Sequence, residues 1–450
     1  MLDKPPWRRQ ESPCNTMNDT APCSVFGERL GGRSAILDLM DDLAPALARG
    51  GAICMLGGGN PARIPAVTRV WRARMQALLA DAGRFARLLA HYDTPQGNPD
   101  FLDAMASFLR TRYGWPVTER NIIVTNGSQQ ASFMLLNLFG GRAKSGRRRR
   151  ILLPLMPEYV GYADQGVESG MFRAQRPLIG RQADGFFKYQ LDLDALRVGA
   201  DIGAICVSRP TNPTGNVLTD AEIAFLRERA QARGIPLIID SAYGAPFPHI
   251  LYRPCTPVWG PDIILTCSLS KLGLPGTRTG IVIAAEATIR ALTAMNAVLN
   301  LASNNLGQAL VAPLIRSGEL EQLARTRICP FYAHRQRRAL RALRTAFADG
   351  PPVAVHAPEG AFFLWLWFTD LPVATRVLYE RLKARGVLVL PGEYFFFGLA
   401  ADWPHARQCL RVSYALDPAA FARGIGIIAE EARLLAAPPA RQRRGKPASR

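Results

Sequence analysis

The sequence has no apolar run approaching the roughly 20 residues that a membrane-spanning helix needs. The stretch AFFLWLWF, from Ala361 to Phe368, stops well short of that length. The first 24 residues mix Trp7, Arg8, Arg9, prolines and polar residues without an apolar core, so no secretory signal is recognised and a cytoplasmic location is expected. Cysteine is sparse and scattered. The eight residues at 14, 23, 54, 206, 255, 267, 329 and 409 form no C-x-x-C pair, which argues against a disulfide framework and a zinc module. His91, His249, His334, His356 and His405 show no ligand spacing, so no metal is expected. Lysine is scarce as well, with six residues against 49 arginines, and five of the six read as surface lysines.

What remains is the composition of an ordered globular chain. Its 450 residues are 48% hydrophobic, 20% charged and 8% aromatic, enough for two or three domains with a self-sufficient core. The formal net charge of +19 is local in origin: residues 142–150 (RAKSGRRRR) hold six positive charges and residues 441–450 (RQRRGKPASR) hold five, with no acid in either. Short charge runs of this kind are usually solvated, so they predict a basic loop and tail rather than a nucleic-acid-binding face.

Between about residues 120 and 285, short β-rich runs alternate with amphipathic stretches. Strands are predicted at Asn121 to Thr125, Arg150 to Leu153, Ala204 to Val207, Pro236 to Ile239, Ile263 to Cys267 and Gly280 to Ala284, with helices at 127–139 and 220–233. That alternation predicts an α/β layer with a mostly parallel sheet. After 286 the pattern turns helical, then mixes strands (361–368, 387–390, 409–414) with helices (374–385, 418–436), as in a smaller α+β domain. The resulting organisation is a disordered extension over 1–24, a segment at 25–60 with a helix-like stretch (34–48), a large domain at 61–310, a small one at 311–436 and a basic tail at 437–450. The 25–60 segment is expected to pack with the small domain.

Four motifs fall at predicted strand ends, where open α/β sheets hold their ligands. Lys271 sits in TCSLSKLGLPGTRTG, between an apolar strand and a Gly/Pro-rich turn; its amine suits a Schiff base, and nearby hydroxyls with Arg278 suit a phosphate. SRPTNPTGN (208–216) projects the Asn212 amide, and LIIDSAYG (237–244) ends a buried strand with a carboxylate, Asp240, and a phenol, Tyr243. TNGSQQA (125–131) opens a helix at Gly127 and Ser128, whose backbone N–H groups suit a phosphate. Each motif alone is an ordinary turn. Together they offer a lysine, an acid, a phenol, an amide and a phosphate cradle, which is what pyridoxal 5'-phosphate requires.

The ordered set TNGSQQA, SRPTNPTGN, DSAYG, SLSKLGLPGTRTG and QCLRVSYA resembles the class I aminotransferases of the fold type I pyridoxal-phosphate enzymes over roughly residues 25–436. MLGGGNPARIP, YDTPQGNPDF, PEYVGYAD, AYGAPFP, GAFFLWLWF and RLKARGVLVLPG are similar to the valine:pyruvate group within that family. The resemblance implies a homodimer in which Lys271 attaches the cofactor and moves the substrate proton, and Asp240 keeps the pyridine nitrogen protonated. It further implies that Tyr243 and Asn212 bond the ring phenolate oxygen, while Gly127, Ser128, Gln129, Ser268 and Arg278 hold the phosphate. Tyr92 reaches that phosphate from a second subunit, and Tyr159 stacks on the ring. Arg411 grips the substrate carboxylate, with Gly58 and Asn212 beside it. The GGGNP, Tyr159 and FFLWLWF regions are expected to wall an apolar side-chain pocket, with amino acids and 2-oxo acids as substrates and neither nucleic acid nor membrane as partner.

Three other readings stay open at the level of sequence. GGGNPA (57–62) fits a dinucleotide fingerprint, although Pro61 and Pro65 interrupt the helix that should follow. A DNA-binding regulator with an aminotransferase-like domain would need a recognition module, and only about 24 atypical residues precede the family region. A pyridoxal-phosphate lyase working by β-elimination uses the same scaffold, since fold does not decide reaction.

Overall fold

The computed structural model describes residues 23–32, 34, 36–37, 41 and 53–437. The expectations for residues 1–22, for most of the 34–48 stretch and for the tail from 438 lie outside the described residues.

The main sheet has eight strands. Along its path run Ile122–Thr125, Gly280–Ile283, Ile263–Ser268, Leu237–Asp240, Ile202–Ser208, Arg148–Leu153 and Gly141–Arg142, with Phe172–Ala174 beside Arg148–Leu153. The strands from Ile263–Ser268 across to Phe172–Ala174 pair in parallel. Gly280–Ile283 runs antiparallel to both its neighbours, so Ile122–Thr125 points the same way as the parallel set. The runs IIVT, IGAICVS and IILTCS are buried along their whole length, the pattern of a sheet covered on both faces. Register then decides where the chemistry lies. Ser208 pairs with Asp240, and Asp240 with Thr266, so neighbouring strands end together at one carboxyl edge.

The helices that follow these strands start where turn chemistry allows. Asp220–Gln231 opens with a complete capping box between Thr219 and Glu222. Ser128–Phe139 starts from Gly127 at φ 85°, a conformation that costs glycine least. A Cβ on the adjoining Gly280 would come within 2.5 Å of the Ser128 backbone nitrogen. Two glycines therefore let the first turn of this helix lie directly against the sheet.

A second sheet of six strands runs Leu390–Pro391, Cys409–Ser413, Phe363–Phe368, Val353–His356, Phe186–Gln190 and Leu178–Arg181. The last two form a hairpin from the middle of the chain that periodicity does not assign. They fall within 61–310, yet Phe186–Gln190 pairs with Val353–His356 and carries Leu178–Arg181 into the same sheet. Cys54–Met55 joins the same end of the molecule by pairing in parallel with Val387–Leu388. The run FFLWLWF is core: Phe362, Phe363, Leu364, Trp365, Leu366 and Phe368 are fully buried. Among the described residues no helix is long and apolar enough to cross a membrane.

The hairpin corrects one expectation. Lys188 is not a surface lysine; it is buried, with its amine 2.6 Å from Glu359 Oε2. A buried ammonium needs a counter-charge, and the sequence hides this one because Glu359 lies 171 positions away. Glu359 also accepts from the Val217 backbone N–H at 3.0 Å and from Arg253 at 2.7 Å. Lys188→Met should lower unfolding free energy by about 3 kcal/mol, the scale for breaking a buried pair. Urea denaturation tests this, and a loss within the error of the extrapolation would mean that Arg253 alone satisfies the carboxylate.

Candidate active site

The strand ends open into a cavity of about 370 Å³ lined by Gly58, Ser128, Gln129, Tyr159, Asn212, Asp240, Tyr243, Ser268, Lys271, Arg278 and Arg411, among others. Of the residues singled out in the sequence, Gly127 stands just behind this lining as the residue before the helix. Tyr92 is elsewhere, 82% exposed on the surface of the chain.

Lys271 leaves the strand Ile263–Ser268 through a short 3₁₀ turn that ends at Gly273, φ 91°. Its amine donates to the Gly59 carbonyl at 2.6 Å and lies 5.2 Å from the Tyr243 ring centre. Withdrawal from bulk water, with Arg411 and Arg278 nearby, lowers its pKa to about 8. A neutral, nucleophilic amine is therefore within reach at ordinary pH. The turn itself is pinned from the helix Pro65–Ala80, where the Trp71 indole donates to the Leu272 carbonyl at 2.9 Å.

Asp240 presents a carboxylate at the bottom of the cavity. Its Oδ1 accepts from the Ala242 backbone N–H at 2.9 Å and its Oδ2 from the Tyr162 hydroxyl at 2.5 Å. Burial raises its pKa, while these bonds and the Lys271 charge oppose the rise. Tyr243 packs edge-on against Phe362 and Phe363.

Arg278 follows Lys271 by seven residues and sits in the left-handed region, φ 47°. Its guanidinium then rests over Gly127, where a Cβ would come within 2.4 Å of Nη2. Arg411 arrives from the second sheet and is buried. It donates to Asn212 Oδ1 at 2.7 Å and to the Gly57 carbonyl at 2.5 Å, over the face of Phe363 at 4.3 Å. Burial lowers its pKa to about 10, and its Nε has no protein partner.

Other lining residues were not singled out individually, although the sequence motifs or predicted stretches contain them: Ile36, Met55, Asn60, Ser132, Val160, Ser208, Ser270 and Leu390. The strand Phe363–Phe368 does not line the cavity; Phe363 instead forms the floor beneath Arg411. The apolar wall comes from Ile36, Met55, Val160 and Leu390. Glu158 and Tyr162 also went unassigned, although PEYVGYAD contains both. Their signal was a buried acid and phenol flanking Tyr159, and neither stands out without its partner.

A half-buried amine, a half-buried acid and a buried guanidinium facing one cavity on this fold define a class. The chain belongs to the aminotransferase class I and II family, whose model matches residues 58–428. It is 47% identical over 408 residues to the valine–pyruvate aminotransferase of Escherichia coli (strain K12), covering 91% of this chain and 97% of that one. The crystal structure of valine-pyruvate aminotransferase AvtA from Salmonella typhimurium LT2 superimposes with a TM-score of 0.81 at 46% identity, covering 88% of this chain and 98% of that one. The aromatic-amino-acid aminotransferase 1 of Thermococcus litoralis is more distant, 27% identical over 315 residues, 68% of this chain and 72% of that one.

The amine makes the site testable without any ligand. Desolvation disfavours the ammonium, so the neutral form accumulates as pH rises through about 8. Acylation of Lys271 in cofactor-free protein should rise with that midpoint, read by peptide mapping between about pH 6 and 10. A midpoint in the ordinary lysine range would show that the cavity leaves the amine solvated.

Proposed function

We propose that this chain is a pyridoxal 5'-phosphate-dependent aminotransferase that exchanges an amino group between valine, or a similar aliphatic amino acid, and pyruvate. The products are 2-oxoisovalerate and alanine, formed by a ping-pong cycle in a cytoplasmic homodimer. The observation that carries the reading is the convergence of Lys271, Asp240 and Arg411 on one cavity.

The residues present fit the cofactor. The space over Gly127, which any Cβ would fill, lies between the Arg278 guanidinium and the first turn of the helix Ser128–Phe139. That combination of cation, N–H groups and helix dipole suits a phosphate, with Ser128, Gln129 and Ser268 as further donors. When bound, the cofactor supplies an electron sink for charge that develops at the substrate Cα.

With the cofactor bound, Asp240 would hold a proton on the ring nitrogen by charge, Tyr243 and Asn212 would donate to the phenolate oxygen, and Tyr159 would cover the ring. Lys271 would be the attachment point for the cofactor and the base for the substrate Cα proton; its lowered pKa suits both roles. Arg411 would take the substrate carboxylate in a charge-assisted pair, which would give its unpartnered Nε–H an acceptor. Asn212 and Gly57 hold the guanidinium in place beforehand, and Gly58 leaves room beside it.

A second copy is part of this reading. Phe85, Leu89, Tyr92, Val298 and Leu301 are exposed, and the two segments carrying them are tied by the bond from Asn305 Nδ2 to the Leu88 carbonyl. Apolar groups concentrated on one side support an interface there. Tyr92 would then reach the phosphate bound in the other subunit.

Borohydride reduction of the yellow holoenzyme should fix the cofactor on Lys271, and peptide mapping that finds the label on another lysine would sink the assignment. The substrate claim rests on the wall of Ile36, Met55, Val160 and Leu390. Among the described lining residues the cations are Lys271, Arg278 and Arg411, each already committed to cofactor or α-carboxylate. A distal carboxylate would be buried without a partner, at a cost of several kcal/mol. Valine and alanine should therefore convert the bound cofactor to pyridoxamine phosphate at least tenfold faster than aspartate in single turnover, roughly the factor that 1.4 kcal/mol supplies. Faster conversion by aspartate or glutamate would refute the side-chain preference and leave the aminotransferase reading intact.

A further inference from the structure

One short turn touches the site at three points. Glu158 accepts from the Ser208 backbone N–H at 2.8 Å and from the Ser208 hydroxyl at 2.6 Å. Tyr159 lines the cavity. Tyr162, at the end of the turn Val160–Tyr162, donates to Asp240.

We propose that Tyr162 is a positioning residue for transamination: it holds Asp240 ionised and in one orientation toward the cofactor nitrogen, while its ring supports Tyr159. This rests on the reading that Asp240 faces that nitrogen. With the Ala242 N–H on Oδ1 and the Tyr162 hydroxyl on Oδ2, each carboxylate oxygen has a fixed donor, so the side chain has one orientation that satisfies both. The phenol is 1% exposed, and no bulk water competes for its hydrogen. The rings of Tyr159 and Tyr162 meet edge-to-face, 5.3 Å apart at 89°.

The reach of the phenol is set by backbone. Glu158 ties the turn to Ser208, and Ser208 is the register partner of Asp240 on the next strand. Burial keeps the Tyr162 hydroxyl protonated far above its usual range, so it remains a donor at working pH. The same burial raises Asp240, and the phenol is the foremost group opposing that rise. Glu158, Tyr159, Cys206, Tyr243, Cys267 and Lys271 are the other titratable groups around the pair. Without the phenol, Oδ2 becomes a buried acceptor without its donor, and the carboxyl group gains a proton more readily. A neutral acid no longer favours the charged ring.

The test compares Tyr162→Phe, Asp240→Asn and the double variant as holoenzymes. Tyr162→Phe keeps the ring and its packing. It should lower kcat by about 10- to 100-fold, the factor expected for one hydrogen bond to a charged group, with KM for the amino donor within about threefold. The cofactor dissociation constant should rise about tenfold, and the pH titration of bound-cofactor absorbance should shift. In the Asp240→Asn background the same change should cost nothing further, because Tyr162 acts through the lost charge. Parent-like turnover and titration of Tyr162→Phe, or an equal loss in both backgrounds, would overturn the proposal. An Asp240→Asn enzyme that turns over like the parent would instead overturn the reading beneath it.

Discussion

The arrangement of the cavity turns on a carboxylate held half-buried at the end of a strand. Asp240 finishes Leu237–Asp240 in the middle of the sheet, half-buried at the cavity wall, where much of its hydration is lost. Such a charge is tolerated only if hydrogen bonds and an opposite charge replace the lost water. The Ala242 N–H, the Tyr162 hydroxyl and the nearby Lys271 amine supply those terms. Because the flanking strands end in register with Asp240, the segments leaving them emerge on either side of it. SRPTNPTGN leaves beside Ser208, and the Lys271 turn leaves beyond Ser268. Acid, amide and amine are thus neighbours because adjacent parallel strands end within two residues of one level.

Arg411 joins parts of the chain that the sheet cannot. Its strand belongs to the second sheet, its Nη1 reaches Asn212 of the first, and its Nη2 reaches Gly57 ahead of both. Burying a guanidinium is costly, and the aromatic faces of Phe363 and Phe395 offset part of that cost. The aromatic run that looks like plain core in the sequence therefore has an electrostatic task at one position.

The sequence was legible where structure is local. Ile122–Thr125, Ile202–Ser208, Ile263–Ser268 and the capped helix Asp220–Gln231 begin and end within a few residues of expectation. Their apolar runs and capping residues act over short distances, and motifs at their ends carried the chemistry into view. Legibility failed where partners are remote. The hairpin Leu178–Arg181 and Phe186–Gln190 mixes polar and apolar residues, and only pairing with Val353–His356 gives it a buried side. Lys188 reads as solvent-facing until Glu359 is beside it. Tyr162 was one tyrosine in a loop, 78 positions from the acid it serves.

Those remote pairings also stiffen the site. Glu359 accepts from Lys188 and from the Val217 N–H, while its own N–H donates to the Gly215 carbonyl. Gly215 sits at φ 71° against the Gly360 carbonyl, where a Cβ would come within 2.6 Å. The loop bearing Asn212 is thereby clamped from the side of the second sheet. Asn212 in turn accepts from the Arg411 guanidinium, so that group is linked through the Asn212 loop and Glu359 to a lysine on a hairpin outside the cavity lining. A site read as motifs on one sheet is in physical terms a junction of two, and its precision is set by contacts that span most of the chain.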